Sequence, residues 1–152
     1  MKVDTVMTVN PVSAPQTASI RKIAELMRDC RIGAVLITDA AGSKHLAGIV
    51  TDRDLCTKVL AEGMSLETPI SRVMTTKPVT CDSGESLAAC ETLMQLHEVR
   101  RIPIIDRQRN ILGIITASDL AQHDTPQNLQ RTVKAVTRPH RKAVTAATKR
   151  AS

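Results

Sequence analysis

The feature that most constrains this chain is an internal repeat. Val6–Thr8 recurs as Val73–Thr75, and Asn10–Val12 recurs in form as Lys77–Val79, both at an offset of 67 residues. Past the middle of each copy the offset falls to 65, because one turn is two residues longer in the first copy. Insertions of this kind are tolerated in surface turns. The chain therefore builds one supersecondary unit twice.

The sequence pattern of each copy predicts the same order of secondary-structure elements, β-α-β-β-α. Proline favours an extended segment near Val12 and Val79, and an amphipathic helix with a one-sided apolar stripe follows. Two apolar runs then predict strands covered on both faces, and a last helix starts after Thr51 or Thr116. The stripes consist of Ile20, Ile23, Met27 and Cys30 in the first copy, and of Leu87, Cys90, Met94 and His97 in the second. The turns between the strands carry Asp39, Gly42, Asp106 and Asn110, which suit hairpins.

The predicted fold class is α/β (α+β), with two βαββα repeats in one domain. Residues 1–66 form the first repeat and its linker, 67–123 the second repeat, and 124–152 a basic C-terminal helix and flexible tail. A repeat of roughly 60 residues buries little core alone, so we expect the two to pack with pseudo-twofold symmetry. The C-terminal helix should start at Thr125-Pro126 and dock through a stripe of Leu129, Val133 and Val136.

The composition of the chain bears on how it can bind a ligand and on where in the cell it works. The chain has no Phe, Tyr or Trp, so a bound base would lie against aliphatic side chains. Apolar runs are far shorter than the ~20 residues of a membrane span, and no secretory signal is visible. The four cysteines include no C-x-x-C pair, which argues against a metal site and favours buried thiols in a reducing cytoplasm. We therefore expect a cytoplasmic protein without membrane contact.

Charge is divided unevenly along the chain. All 15 acidic residues lie in 1–124 beside 14 of the 21 basic ones, which leaves seven basic residues and no acidic residue beyond. Such a tail is typical of a solvated terminus, and it is also compatible with nucleic-acid binding.

The motif with the clearest chemical content joins a strand to a helix, as Gly48–Asp54 and again as Gly113–Asp119. Its threonine hydroxyl can bond a ligand beside the helix start, and its aspartate can accept two hydrogen bonds from a ribose. The alternative is that Thr-x-x-Asp only caps the helix. The two roles are compatible.

The repeated pattern Val-Met-Thr, Pro-Val, amphipathic helix, two strands and Gly-h-h-Thr-x-x-Asp (h, apolar) resembles the tandem CBS (cystathionine β-synthase) domain family over residues 1–123. The resemblance implies a cleft between paired repeats that binds AMP, ADP, ATP, NAD-type nucleotides or S-adenosylmethionine. It assigns the ribose to Asp54 and Asp119, places Thr51 and Thr116 beside ribose or phosphate, and brings the backbone near Val12 and Val79 to the adenine edge.

The two copies differ where a phosphate would lie, since Gly33-Ala34 in the first corresponds to Arg100-Arg101 in the second. Guanidinium groups bind phosphate in a bidentate manner, and Ser118 adds a hydroxyl at the helix start. The alternative for the arginines is a solvated pair before a strand, with Glu98 as a candidate partner. Arg53 is either a phosphate ligand of the first site or a solvent-facing residue. These comparisons favour the second copy as the main site.

We therefore predict a non-catalytic regulatory module that binds AMP, ADP or ATP, for instance in energy sensing, with no resident cofactor and no metal. No catalytic motif is visible, and the histidines have no metal-ligand spacing. The resemblance implies a homodimer that uses the two helix stripes, unless those stripes fill only the core, and an unknown regulated partner protein. The alternative function is a scaffold or nucleic-acid-associated protein that acts through its basic tail.

Overall fold

The computed structural model describes residues 1–137, and the basic end of the chain, 138–152, lies outside the described residues. The strands are β1 (Thr8–Val9), β2 (Ser13–Pro15), β3 (Ala34–Thr38), β4 (Leu46–Thr51), β5 (Thr75–Thr76), β6 (Cys81–Asp82), β7 (Arg101–Ile105) and β8 (Ile111–Thr116). The helices are α1 (Ile20–Cys30), α2 (Asp52–Asp54), which continues as the π-helical turn Leu55–Leu60, α3 (Leu87–His97), α4 (Ala117–His123) and α5, over 126–137. Short 3-10 turns, Val3–Thr5 and Ile70–Arg72, precede the first strands of the two copies.

Equivalent signals begin and end the long helix of each copy. The hydroxyl of Ser19 accepts a hydrogen bond from the Lys22 N–H group at the start of α1, and Ser86 caps α3 in the same way. Serine at this position satisfies an N–H group that has no partner within the helix. Arg31 and Glu98 end the two helices in the left-handed conformation, which closes off the last turn.

The strands form two four-stranded sheets, with the orders β2-β3-β4-β5 and β1-β8-β7-β6. β3 runs parallel to β2 and antiparallel to β4. Both β3 and β7 are buried beyond their first residues, as predicted. The prediction was wrong for β4 and β8, where buried and half-buried residues alternate over most of the strand. The second strand of each hairpin therefore has one well-covered face. The mixed α/β class is confirmed.

The helix stripes fill the interior of the protein. Ile20, Ile23 and Met27 belong to one core, and Leu87, Cys90 and Met94 to another. All six are buried within the chain itself, so the expected contribution of these stripes to a dimer surface was wrong, and the core alternative is confirmed. No helix of residues 1–137 is long and apolar enough to cross a membrane.

Cys30 is not buried with the other residues of its stripe. It is the last residue of α1 and is exposed, as is Cys56, whereas Cys81 and Cys90 are buried. The chain turns away at Arg31, so the last position of the stripe extends past the core. The expectation that most thiols are buried was therefore wrong for two of the four.

α5 docks as predicted, but through a different face. Val136 and Thr132 are buried and Leu129 is half-buried, whereas Val133 is exposed. Thr132 takes the inner position because its hydroxyl oxygen accepts a hydrogen bond of 2.9 Å from the side-chain amide of Gln95 on α3. A buried hydroxyl needs such a partner. The prediction that Val133 belongs to the docking stripe was therefore wrong.

The chain divides into two compact units, each built from segments that are separated in the sequence. One contains residues 1–8, 79–104 and 114–137 of the described chain, and the other contains 9–78 and 105–113. In the first, the Val3 N–H group donates to the carbonyl of Glu85. In the second, the Leu46 N–H group donates to the carbonyl of Arg109 over 3.0 Å.

Candidate functional site

In the first copy, Thr51 and Asp54 form a closed pair at the start of α2. Asp54 Oδ2 accepts from the Thr51 N–H group at 2.9 Å and from the Thr51 hydroxyl at 3.0 Å, and Thr51 Oγ1 accepts from the Asp54 N–H group at 3.2 Å. This is a reciprocal capping box. The capping interpretation is therefore confirmed here.

The second copy repeats the pair with Thr116 and Asp119 at the start of α4. Asp119 Oδ2 accepts from the Thr116 N–H group at 2.7 Å and from the hydroxyl at 2.8 Å, and Thr116 Oγ1 accepts from the Asp119 N–H group at 3.4 Å. The capping bonds use one oxygen of each aspartate. The second oxygen, Oδ1, therefore decides what else each carboxylate can bind.

Lys58 makes the two carboxylates different. Its ammonium nitrogen lies 3.1 Å from Asp54 Oδ1 and donates to the carbonyl of Val73 over 3.2 Å. His123 occupies the equivalent place in the second copy, and within residues 1–137 no hydrogen bond or ion pair reaches Asp119 Oδ1. The sequence analysis missed Lys58, although its spacing of four residues from Asp54 on a helix is a recognisable signal for an ion pair.

The start of β7 lies beside the start of α4. The Ala117 N–H group donates to the carbonyl of Arg100 over 3.0 Å, just as the Asp52 N–H group donates to the carbonyl of Gly33 in the first copy. Arg100 is exposed and Arg101 is half-buried. Neither forms an ion pair with Glu98 or with another carboxylate of the described chain. The bond to Glu98 is therefore absent, whereas the exposure of Arg100 is compatible with the alternative of a solvated pair. The backbone of Arg100 thus lies beside the start of α4, and neither guanidinium group has an ion-pair partner within residues 1–137.

Arg53 and Ser118 hold equivalent positions, and both side chains are exposed. The Arg53 N–H group donates to Asp52 Oδ1 over 2.9 Å. Ala117 replaces that aspartate in the second copy, and the Ser118 N–H group has no acceptor among residues 1–137. The second copy therefore keeps a backbone donor that the first copy uses internally.

The predicted adenine-edge residues, Val12 and Val79, lie just before β2 and β6. Val12 is half-buried, and its carbonyl accepts from the Leu36 N–H group over 3.2 Å, next to the pairing of Ser13 with Leu36. Ala34 at the other end of β3 pairs with Thr51. Val79 is half-buried against the second core. Val12 and Thr51 thus flank the same strand.

Other site chemistry is sparse in the part of the chain that the structure describes. No cluster of three or more His, Cys, Asp or Glu residues there has the geometry of a metal site. A surface depression of about 530 Å³ is lined by Thr80, Cys81, Asp82, Glu85, Ala89, Thr92 and Leu93. It contains none of the predicted site residues.

A family model described as CBS domain matches residues 3–61 and again residues 70–125. This chain belongs to the CBS domain family. It carries a tandem CBS pair, as the resemblance implied. The CBS domain-containing protein YhcV of Bacillus subtilis is 35% identical over 115 residues, which cover 76% of this chain and 79% of YhcV.

Solved structures show the same CBS pair fold. CBS domain protein PAE2072 from Pyrobaculum aerophilum, complexed with AMP, superposes with a TM-score of 0.75 at 21% identity, covering 88% of this chain and 99% of that one. Hypoxic Response Protein I, with two coordinated zinc ions, superposes with a TM-score of 0.72 at 28% identity, covering 82% of this chain and 100% of that one. The curated Hypoxic response protein 1 of Mycobacterium tuberculosis is 29% identical over 135 residues, 88% of this chain and 92% of that protein.

Proposed function

We propose that this CBS pair is a non-catalytic regulatory module that binds an adenosine nucleotide, with its main site in the second copy. Asp119 holds the ribose, Thr116 and Ser118 lie beside the phosphate, Arg100 and Arg101 neutralise it, and the backbone near Val79 meets the adenine. The first copy offers Val12, Thr51, Arg53 and Asp54 in the same roles, with lower affinity.

The observation that carries this proposal is the state of the Asp119 carboxylate. Its Oδ2 atom is fixed by two bonds from Thr116, and its Oδ1 atom has no partner within the described chain. A carboxylate held in one orientation with a free oxygen is a good acceptor for ribose hydroxyls, because little side-chain entropy is lost on binding. In the first copy Lys58 already occupies that oxygen.

The arginines support a phosphorylated ligand over S-adenosylmethionine. Arg100 and Arg101 are adjacent in sequence, lie beside the start of α4 and form no ion pair within residues 1–137. A guanidinium group matches two phosphate oxygens, whereas a sulfonium ligand carries positive charge of its own and would be repelled. AMP, ADP and ATP are therefore the ligands that we favour. Among the solved neighbours, PAE2072 is complexed with AMP, and the CBS pair of MJ0100 with 5'-methylthioadenosine and S-adenosylmethionine.

Regulation follows if the nucleotide binds one conformation or assembly more tightly than another, because a ligand shifts an equilibrium only by its differential affinity. The module would then alter a partner protein, or its own homodimerisation, according to nucleotide level. The two helix stripes are excluded as the dimer surface, since they fill the cores.

The decisive experiment is isothermal titration with AMP, ADP, ATP, NADH and S-adenosylmethionine. Asp119→Asn should weaken AMP binding by about ten- to a hundredfold, because a hydrogen bond to a charged group contributes ~1.5–3 kcal/mol. Asp54→Asn is the matched control and should change the main binding event little.

The phosphate assignment has its own control. Arg101→Ala should weaken AMP while leaving adenosine unchanged, since only AMP carries the group that the guanidinium recognises. If no nucleotide binds to the natural protein, or if Asp119→Asn has no effect, the proposed function is wrong.

A further inference from the structure

Two carboxyl groups meet in the unit that contains α3, α4 and α5. Glu91 is on α3 and only 7% exposed, and Asp124 lies between α4 and α5. The two side chains are within hydrogen-bonding reach of each other. We call Glu91 and Asp124 the carboxyl pair.

The hydrogen bonds to Asp124 use only one of its two carboxylate oxygens. Asp124 Oδ1 accepts from the Thr125 N–H group at 2.7 Å and from the side-chain amide of Asn128 at 3.3 Å. Asp124 Oδ2 and Glu91 Oε1 are buried, and neither has a donor within residues 1–137. Two buried acceptors without a donor are costly, and a proton between them would satisfy both.

We propose that Glu91 and Asp124 share one proton, and that this proton fastens α5 to α3. Asp124 and Asn128 tie the pair to the first turn of α5, while Glu91 belongs to the middle of α3. The Gln95–Thr132 hydrogen bond and the buried Val136 join the same two helices further along. Removal of the proton would leave two carboxylates facing each other in a buried place.

No cation replaces the proton among the neighbouring elements. The basic side chains of α4 and of α5 within residues 1–137 are exposed, and none forms an ion pair with the carboxyl pair. They are His123, Arg131 and Lys134. Asp119 on α4 is acidic and supplies no cation. Two further titratable groups in the core beneath α3 are the thiols of Cys90 on α3 and Cys81 on β6. Burial raises the pKa of both thiols, that of Cys90 to about 12, so they stay neutral.

The direction of the pH effect follows from the pair. Burial raises the pKa of Glu91 from 4.5 to about 7, and the neighbouring Asp124 is the second cause of this shift. The hydrogen bond with Glu91 lowers the pKa of Asp124. Asp124 therefore stays charged while Glu91 titrates. A raised pKa in the docked state means that docking is fully favoured below about 4.5 and that this advantage is lost as pH rises through about 7.

Hydrogen–deuterium exchange of the chain of 152 residues tests whether the shared proton fastens α5 to α3. After correction for intrinsic exchange, protection of the amides in 126–137 should fall at least about tenfold from about pH 5 to about pH 8, since each pKa unit corresponds to tenfold. Glu91→Gln keeps the shape and supplies a permanent donor, so its protection should be independent of pH. Glu98→Gln, an exposed residue after the same helix, should behave like the natural protein.

A carbon-13 titration of the glutamate carboxyls in the natural protein gives a second readout that needs no variant. A carboxyl that titrates near 7 and is absent in Glu91→Gln supports the shared proton. The proposal is overturned if every glutamate titrates near 4.5, if Glu91→Gln keeps the natural pH dependence, or if EDTA removes the protection, since the last result would place a cation between the carboxyls.

Discussion

Lys58 and Asp54 form an ion pair of 3.1 Å across one turn of helix, and the same ammonium group also donates to the carbonyl of Val73. The equivalent aspartate of the second copy has no such neighbour within the described residues. Two sequence motifs that look alike thus differ in what their carboxylates can still bind. Lys58 is the residue that separates them.

Removal of Lys58 should strengthen the first site. In an Asp119→Asn background, which isolates the first copy, Lys58→Met should tighten AMP binding by up to about fivefold, because a partly exposed ion pair of this kind contributes ~0.2–1 kcal/mol. Isothermal titration measures the change. His123→Met in an Asp54→Asn background is the matched control and should have no effect. Weaker AMP binding by Lys58→Met would show that Lys58 contacts the phosphate instead.

Thr116→Val should destabilise the unit that contains α4. The substitution removes the acceptor for the Asp119 N–H group and one donor to its carboxylate, and loss of such a cap costs about 1 kcal/mol. Urea unfolding should show a lower midpoint. Thr92→Val, whose hydroxyl on the exposed face of α3 donates only to the carbonyl of Ala88, should remain near the natural value. Equal effects of the two variants would remove the special role of the cap.

Gly48→Ala should disturb the pairing of β4 with β5. A Cβ atom at Gly48 would lie 2.7 Å from the Thr75 carbonyl oxygen and 2.8 Å from Met74 Sδ, so β5 must move. We expect a loss of about 1–3 kcal/mol in the free energy of unfolding, the usual cost of overpacking. Gly84→Ala, where no atom lies within 4 Å of the added Cβ, is the control. An unchanged unfolding midpoint for Gly48→Ala would contradict the close contact.

The thiols should react in two classes. Cys30 and Cys56 are exposed, whereas Cys81 and Cys90 are buried with raised pKa values. A thiol-specific reagent should therefore label two cysteines in the folded protein and all four in denaturant, because only the thiolate of an accessible cysteine reacts. Fast labelling of a third cysteine in the folded protein would show that one core opens more readily than its burial indicates.

Local patterns in the sequence were enough to predict most of the fold. The repeat offset placed equivalent elements in both copies, and the helix stripes identified the core residues, because burial follows helix periodicity. Periodicity failed at the end of one helix and at a position inside another. Cys30 lies where α1 stops at Arg31, and Thr132 displaces Val133 because Gln95, 37 residues earlier, supplies its partner.

The candidate site and the carboxyl pair show the same difference between contacts within one helical turn, which the sequence predicts, and contacts between distant residues, which it does not. The Thr-x-x-Asp spacing predicted the paired caps at Thr51 and Thr116, since both partners lie within one helical turn. The carboxyl pair could not be predicted, because Glu91 and Asp124 are far apart in sequence and meet only through the packing of α3 with the start of α5. Such contacts depend on tertiary structure, and no local pattern encodes them.

The exchange of segments between the two compact units has a consequence for biosynthesis. The unit that holds residues 9–78 also needs residues 105–113, so a nascent chain cannot complete it when the first repeat has left the ribosome. The other unit needs residues 1–8, which must stay available until the second repeat is made. Contacts between distant parts of a chain slow folding. Both units therefore mature late in translation, almost together, and a fragment cut between the repeats would complete neither.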